Sequence, residues 1–371
     1  MCSFNFILFL SAFQLFPTAP FRIRDLGGSK LAAGLFVGFL TYASAFSAPL
    51  TGALADRLGR VRTLIICSFG ITLVALGYLW TTRTGPMLAL VVVHGIFWSG
   101  LLTSASAQAI ELMPPSRRAE GLGYFSLSML LGVIAAPAIG LWVYRHGWHW
   151  LCLDIIILML ITVAIATRIE PTPRDPSAVH APILSRHAIE WRIFLGALTM
   201  FLAAFGYGGV MSFAGLYAEQ HGVWPSLYFT VFAGVMMFSR PIAGKLADRL
   251  GSTRVLIPCL ILGSIGYALL AVDGTLPWIV ASAVVLGLGW GSAPPAFAAY
   301  MLRGVDDQKR AAAFGGYLAA MDTGIGTGSI AIGWIIQHRG YSAAYATASV
   351  IATLSWPYFW FIGRRLLTRG T

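Results

Sequence analysis

A chain of 371 residues with 57% hydrophobic and only 11% charged side chains departs from soluble globular composition, in which about a quarter of residues are charged. With a mean hydropathy of +0.76 and about 20 apolar residues needed per crossing, its apolar stretches fill about twelve membrane helices and exclude a separate soluble catalytic domain. The net charge of +11, from 25 Lys and Arg against 14 Asp and Glu, is scattered between apolar stretches rather than gathered in a patch, which excludes a nucleic-acid partner and makes the bases topology signals.

In chain order, spans are expected at 4–20, 31–54, 63–82, 86–110, 121–144, 150–167, 193–217, 226–246, 255–272, 276–301, 311–336 and 343–363. Met1-Cys2-Ser3-Phe4 has no basic leader and no evident cleavage site, so the first apolar stretch reads as a span and not a signal peptide. Bases concentrate on the side of the N-terminus, at Arg57, Arg60, Arg62, Arg117, Arg118, Arg168, Lys245, Arg249, Arg254, Arg303, Lys309, Arg310 and Arg364 among others. Arg22, Arg24, Lys30, Arg83, Arg145 and Arg339 fall on the opposite side. Basic loops resist translocation, so both termini are expected in the cytoplasm of a bacterial-type inner (plasma) membrane. The longest polar stretch runs from Arg168 through Pro171, Pro173, Pro176 and Pro182 to Arg192, dividing the chain into 1–168, a cytoplasmic linker at 169–191, and 192–371. Cys2, Cys67, Cys152 and Cys259 sit within or beside apolar segments without metal-site spacing, so packing roles and no metal or cofactor are expected.

The halves are copies. FSAPLTGALADRLG at 46–59 and FSRPIAGKLADRLG at 238–251 agree at ten of fourteen positions, at an offset of 192. The same offset pairs Gly95 and Trp98 with Gly287 and Trp290, Gly132 with Gly324, and Trp142 with Trp334. Six spans per copy bring both copies into the membrane from the same side, as parallel repeats about an axis along the membrane normal. The expected fold is an all-α membrane protein, twelve transmembrane helices in two six-helix bundles related by pseudo-two-fold symmetry.

Gly52-Ala53-Leu54-Ala55-Asp56-Arg57-Leu58-Gly59-Arg60-Val61-Arg62, echoed by Gly244-Lys245-Leu246-Ala247-Asp248-Arg249-Leu250-Gly251, resembles the cytoplasmic loop signature of the major facilitator superfamily. The resemblance covers the whole chain and implies a functional monomer. It also implies a cytoplasmic latch between the halves built on Gly52, Asp56, Arg57, Gly59 and Arg60, with Asp248 and Arg249 in the shorter copy. Val61 stands where the family commonly has a second base. Gly132-Val133-Ile134-Ala135-Ala136-Pro137-Ala138-Ile139-Gly140 resembles the glycine-rich motif of the antiporter branches, with Ala136 in place of a usual glycine and Pro137 as a pivot. Arg117-Arg118-Ala119-Glu120-Gly121-Leu122-Gly123-Tyr124 and Arg22-Ile23-Arg24-Asp25-Leu26-Gly27-Gly28-Ser29 resemble the arabinose-efflux-like, drug:proton antiporter branch; Arg118 joins the gating residues.

Asp322 lies twelve residues beyond Arg310, about 18 Å along a helix and so near mid-membrane, where a charge costs roughly 2.5–3.5 kcal/mol on insertion scales. It is the leading candidate for proton coupling. Arg240 stands where the first copy has Ala48 and is a candidate for pairing internally or drawing an anionic substrate. His94, Trp98, Ala105 and Gln108 share a helix face, while Val91 occupies the place where antiporter relatives often carry a base. Gln14 belongs to a polar stripe with Ser11 and Thr18, and Tyr207 lies in the glycine-rich stretch of the seventh span. Trp98, Tyr124 and Trp290 are candidate aromatic walls of a cavity among spans 1, 4, 7, 10 and 11.

No G-x-x-x-x-G-K-[ST] loop is present, which removes direct ATP coupling, and no intramembrane nucleophile and base form a motif, so no enzyme is expected. The expected function is proton-coupled export of a small organic molecule by alternating access within the lipid bilayer. Uptake of a sugar or organic acid by symport or uniport, and a non-transporting membrane sensor, are the alternatives.

Overall fold

Inside a bilayer each backbone amide must be satisfied within the protein, which drives these apolar stretches into helices. A computed structural model describes residues 1–114, 117–171, 191–303, 310–363 and 365, with the side chains at 118–119, 191–194, 302–303 and 310–312 outside the described set. Most of the expected linker, 172–190, also lies outside it. Among the described residues there is no strand. The helices are α1 (Cys2–Asp25), α2 (Lys30–Leu58), α3 (Arg60–Trp80), α4 (Thr84–Leu112), α5 (Arg118–Tyr144), α6 (Trp148–Ala166), α7 (Trp191–Gln220), α8 (Pro225–Leu250), α9 (Ser252–Val272), α10 (Leu276–Arg303), α11 (Arg310–Thr353) and α12 (Ser355–Tyr358), closed by a π-helical turn at Phe359–Gly363.

Among the described residues eleven helices are long and apolar enough to cross a membrane, and the last of these stretches, Ala313–Gly363, has 51 residues. At about 1.5 Å per residue that is roughly two and a half times what a ~30 Å hydrocarbon core requires. Gly340, at φ 81 and ψ 176, breaks it, so 341–363 supplies the twelfth expected crossing.

Helix ends overshoot the apolar stretches. The motif expected as a loop after the second span is helical through Leu58, because Ala, Leu and Arg are strong helix formers. Gly59 alone makes the turn, at φ 94 and ψ 138. Gly251 repeats it at φ 93 and ψ 145, a conformation that side chains rarely adopt.

The chain divides into two compact units, Met1–Gly27 with Phe39–Ser185, and Gly28–Gly38 with Arg186–Thr371. In the first, α1 packs on α5 and α6, and α3 packs on α4 and α6. In the second, α7 packs on α11, α10 on α8 and α9, and α9 on α11. The opening turns of α2 belong to the second unit. There the Ser329 hydroxyl donates to the Gly34 carbonyl at 3.0 Å, the Leu31 amide to Gln337 Oε1 at 3.2 Å, and Lys30 Nζ to the Tyr341 hydroxyl at 3.1 Å.

Bare glycine surfaces set the helix spacing, as expected where lipid tails remove the hydrophobic drive between helices. A Cβ on Gly95 would lie 2.5 Å from the Leu40 carbonyl oxygen, and one on Gly287 would lie 2.8 Å from that of Phe232, the equivalent residue.

Candidate substrate and coupling site

The second unit gathers the polar groups that its apolar helices leave open. Pro294 and Pro295 lie inside α10 without breaking it. Pro295 has no amide hydrogen, so the Gly291 carbonyl four residues earlier loses its helical donor. Arg240 of α8 replaces that donor, its Nε reaching the Gly291 oxygen at 3.1 Å. Proline in one helix thus fixes a guanidinium from another.

Around that anchor lie two phenols and an indole. Arg240 is in electrostatic contact with Tyr207 of α7 and Tyr317 of α11. Tyr207 stacks on Trp290, with ring centroids 4.2 Å apart and planes 15° from parallel. The Tyr317 hydroxyl donates to the Pro294 carbonyl at 3.4 Å and interacts electrostatically with both Arg240 and Asp322. Tyr207, Trp290 and Tyr317 are buried, while Arg240 and Asp322 are half-buried. Among the described residues Asp322 makes no hydrogen bond or ion pair, and Arg240 makes no ion pair.

The first unit closes its polar groups on one another. Gln14, fully buried, donates through Nε2 to Asp154 Oδ2 at 2.7 Å, leaving its own Oε1 without a partner. His94 shares a 3.4 Å hydrogen bond with the buried Tyr78 hydroxyl. Gln108 donates to the Glu170 carbonyl at 2.9 Å. Trp98 meets Phe9 edge to face at 5.3 Å. Tyr124 is 60% exposed and joins neither cluster.

At the Gly52–Arg62 motif, Arg60 pairs with Glu111, lies 3.9 Å from Asp56 and donates to the Ala107 carbonyl at 3.3 Å. Arg57, Asp248 and Arg249 are exposed. Gly52 has open space where a Cβ would stand, so it allows no close approach there. Pro137 is buried in an unbroken α5. The Arg118 side chain lies outside the described residues. Its neighbour Arg117 forks onto Glu120 at 2.9 and 2.8 Å, which raises the guanidinium above its ordinary pKa.

Sequence reasoning named Arg240, Tyr207 and Trp290, which the fold brings together, and Asp322, which is related to them only through Tyr317. It missed Tyr317, Tyr78 and Glu111. Tyr317 lies five residues before Asp322 in the same span, the one signal that could have drawn attention to it.

Two copies of a six-crossing bundle, one holding charged side chains within its membrane helices that have no ion-pair partner among the described residues, define a multi-pass membrane protein of the transporter class. The model of the Major Facilitator Superfamily matches residues 1–305 and 198–369, and the chain belongs to that superfamily. It is similar to the uncharacterized MFS-type transporter YhhS of Escherichia coli (strain K12), 24% identical over 375 residues that cover 98% of this chain and 91% of the relative. YhhS of Salmonella enteritidis is 25% identical over 381 residues, with the same coverage. Among solved structures, a bacterial homolog of the human lysosomal transporter Spinster, inward-facing and unoccupied, has a TM-score of 0.77 at 16% identity, covering 100% of this chain and 96% of that one. The human organic anion transporter MFSD10 has a TM-score of 0.74 at 16% identity, covering 96% and 97%. The nucleoside transporter NupG has a TM-score of 0.74 at 15% identity, covering 97% of each. These likenesses show the fold; membership of the superfamily makes the chain a membrane transporter, which implies a small-molecule substrate.

Proposed function

We propose that this transporter exports a small organic molecule in exchange for protons, by alternating access of the halves 1–168 and 192–371, as a monomer in the inner (plasma) membrane with both termini cytoplasmic. The observation that carries this reading is Asp322, a half-buried carboxyl within a membrane helix that has no hydrogen bond or ion pair among the described residues. Such a group is costly to keep charged at that depth, so it takes up a proton where its cavity is dry and releases it where water enters. Tyr317, which feels the charges of both Asp322 and Arg240, couples the carboxyl electrostatically to the surface on which substrate rests. The gradient supplies the work, its electrical part contributing about 2.3 kcal/mol per charge at 100 mV.

Arg60, tied to Glu111 and Asp56 at the foot of α2, serves as the gating post of the cytoplasmic side, with Gly59 as its hinge. In the test, a null strain and an overexpressing strain are first grown across drugs, sugars and metal chelators to find a solute whose accumulation the protein lowers. Everted vesicles then follow that solute and lumenal pH together. Solute entering the vesicles as protons leave them is expected, and both fluxes vanish in Asp322→Asn. Full, pH-dependent transport by that variant would refute the coupling role, and solute moving in the same direction as protons would replace export by symport.

A further inference from the structure

We infer that the solute is an organic anion with a flat apolar body, its acid group held by Arg240 and its body lying along the stacked Tyr207–Trp290 pair. This rests on reading the second-unit cluster as the substrate site. The first support is charge. Arg240 is half-buried in a membrane helix, where an uncompensated guanidinium is expensive, and the described residues offer it no carboxylate partner. Among the described residues its side chain makes one hydrogen bond, through Nε to the neutral Gly291 carbonyl. That bond fixes the guanidinium plane while both terminal nitrogens stay available, the fork that suits a carboxylate or phosphonate oxygen pair.

The second support is the company Arg240 keeps. Its electrostatic neighbours are the phenols of Tyr207 and Tyr317, which bring no competing charge; the Tyr317 hydroxyl is turned to the Pro294 carbonyl, so Tyr207 is the one that can add a donor around an anion. The third is shape. Tyr207 and Trp290 are stacked nearly parallel at 4.2 Å, and a planar body that extends this stack suits them better than a sugar, which needs directional hydrogen bonds. A cation is disfavoured by Arg240, and a neutral solute leaves the guanidinium uncompensated.

The test measures equilibrium binding of radiolabelled 2-naphthoate to the detergent-solubilised full chain, with 2-naphthamide as the neutral isostere and 2-naphthylmethylammonium as the cation. Saturable naphthoate binding is expected, with naphthamide about tenfold or more weaker and the ammonium without effect. Arg240→Gln should erase the preference for the acid, and Arg240→Lys should keep part of it. If Arg240→Gln does not fold, Tyr207→Phe, which removes the hydroxyl beside Arg240, should narrow the preference. No saturable naphthoate binding, equal binding of acid and amide, or an unchanged preference in Arg240→Gln would overturn the inference, leaving Arg240 as a clamp on α10. Because binding is read without a gradient, its outcome is separate from proton coupling. Naphthoate held by Arg240 without proton movement would refute coupling alone, while proton-coupled export of a solute with no acid preference would refute the anion site alone.

Discussion

Trp98 and Trp290, Gly95 and Gly287, and Gly59 and Gly251 occupy matching places in the two halves, yet Ala48 stands opposite Arg240, Leu130 opposite Asp322, Leu15 opposite Tyr207 and Phe125 opposite Tyr317. The exchange also runs the other way, with Leu286 opposite His94, Gly206 opposite Gln14 and Ala346 opposite Asp154. Packing residues have been kept because a change of even one methylene is felt where backbones touch. Polar residues have diverged, and the two sets are used differently. Gln14 with Asp154 and His94 with Tyr78 are pairs that join helices, whereas the side chains of Asp322 and Arg240 have no ion-pair partner among the described residues. A membrane carboxyl therefore reveals its role less by being present than by being satisfied or unsatisfied.

Exchanging each carboxyl for its amide gives the largest contrast. Asp322→Asn should lower proton-driven transport by roughly 10²-fold or more, the scale of a lost proton-transfer group, while leaving thermal stability unchanged or higher because no bond is broken. Asp154→Asn should retain transport and lose stability by about 1 kcal/mol, since the Gln14 amide then faces a weaker, neutral acceptor. Vesicle flux and thermal unfolding in detergent, measured on both variants, check the pair. Loss of transport in both would erase the distinction between the two carboxyls.

The next contrast is between Gly328 and its counterpart Ala136. A Cβ on Gly328 would run into the Phe205 carbonyl oxygen, where α11 crosses α7. Ala136 carries that Cβ, fully buried, in the first half. Gly328→Ala should destabilise by about 1–3 kcal/mol or more through overpacking. Ala136→Gly should cost only about 0.5–1 kcal/mol in backbone entropy. Unfolding midpoints in one detergent would show the asymmetry, and equal losses would mean that the two crossings are equally close.

Much of this was legible in the sequence for a physical reason: a bilayer leaves few ways to satisfy a backbone, so apolar length alone marks the crossings. Helix ends were less legible because helix formers carry α2 past the apolar edge to Leu58. Asp322 and Arg240 stood out because a charge in an apolar run is conspicuous. Their grouping with Tyr317 did not, since a tyrosine in such a run is no anomaly and the free Gly291 carbonyl shows only once Pro295 is read as a missing donor. Tyr124 reads as a cavity wall from the sequence because helical period alone does not say which face meets the protein; it is 60% exposed. His94 was legible as polar, but its partner Tyr78 comes from a neighbouring helix.

The turn after the second helix of each half should respond identically, which sharpens the comparison from the conserved side. Gly59→Ala and Gly251→Ala each force a side chain into positive φ and should each destabilise by about 1–3 kcal/mol, agreeing within about 0.5 kcal/mol of one another. Unfolding of the two variants and of the double variant checks this. A large difference would show that the repeated turns are held by different surroundings.

The smallest effect is expected one residue further on, where the halves part again. Arg60 pairs with Glu111 and approaches Asp56, its side chain 24% and theirs 37% and 46% exposed. Ser252 occupies the equivalent place, buried, with a hydroxyl that has no hydrogen-bond partner. Water screens the first network, so Arg60→Ala should lose only about 0.3–1 kcal/mol, less in high salt. Ser252→Ala removes an unsatisfied hydroxyl and should be neutral or stabilising by a few tenths of a kcal/mol. If Arg60 acts as a gating post, its variant should change transport rate by far more than that stability loss accounts for, and Ser252→Ala should not. Equal and small rate effects in the two variants would reduce the motif to a surface ion pair, and the functional difference between the halves would then reside entirely in the membrane cluster around Arg240 and Asp322.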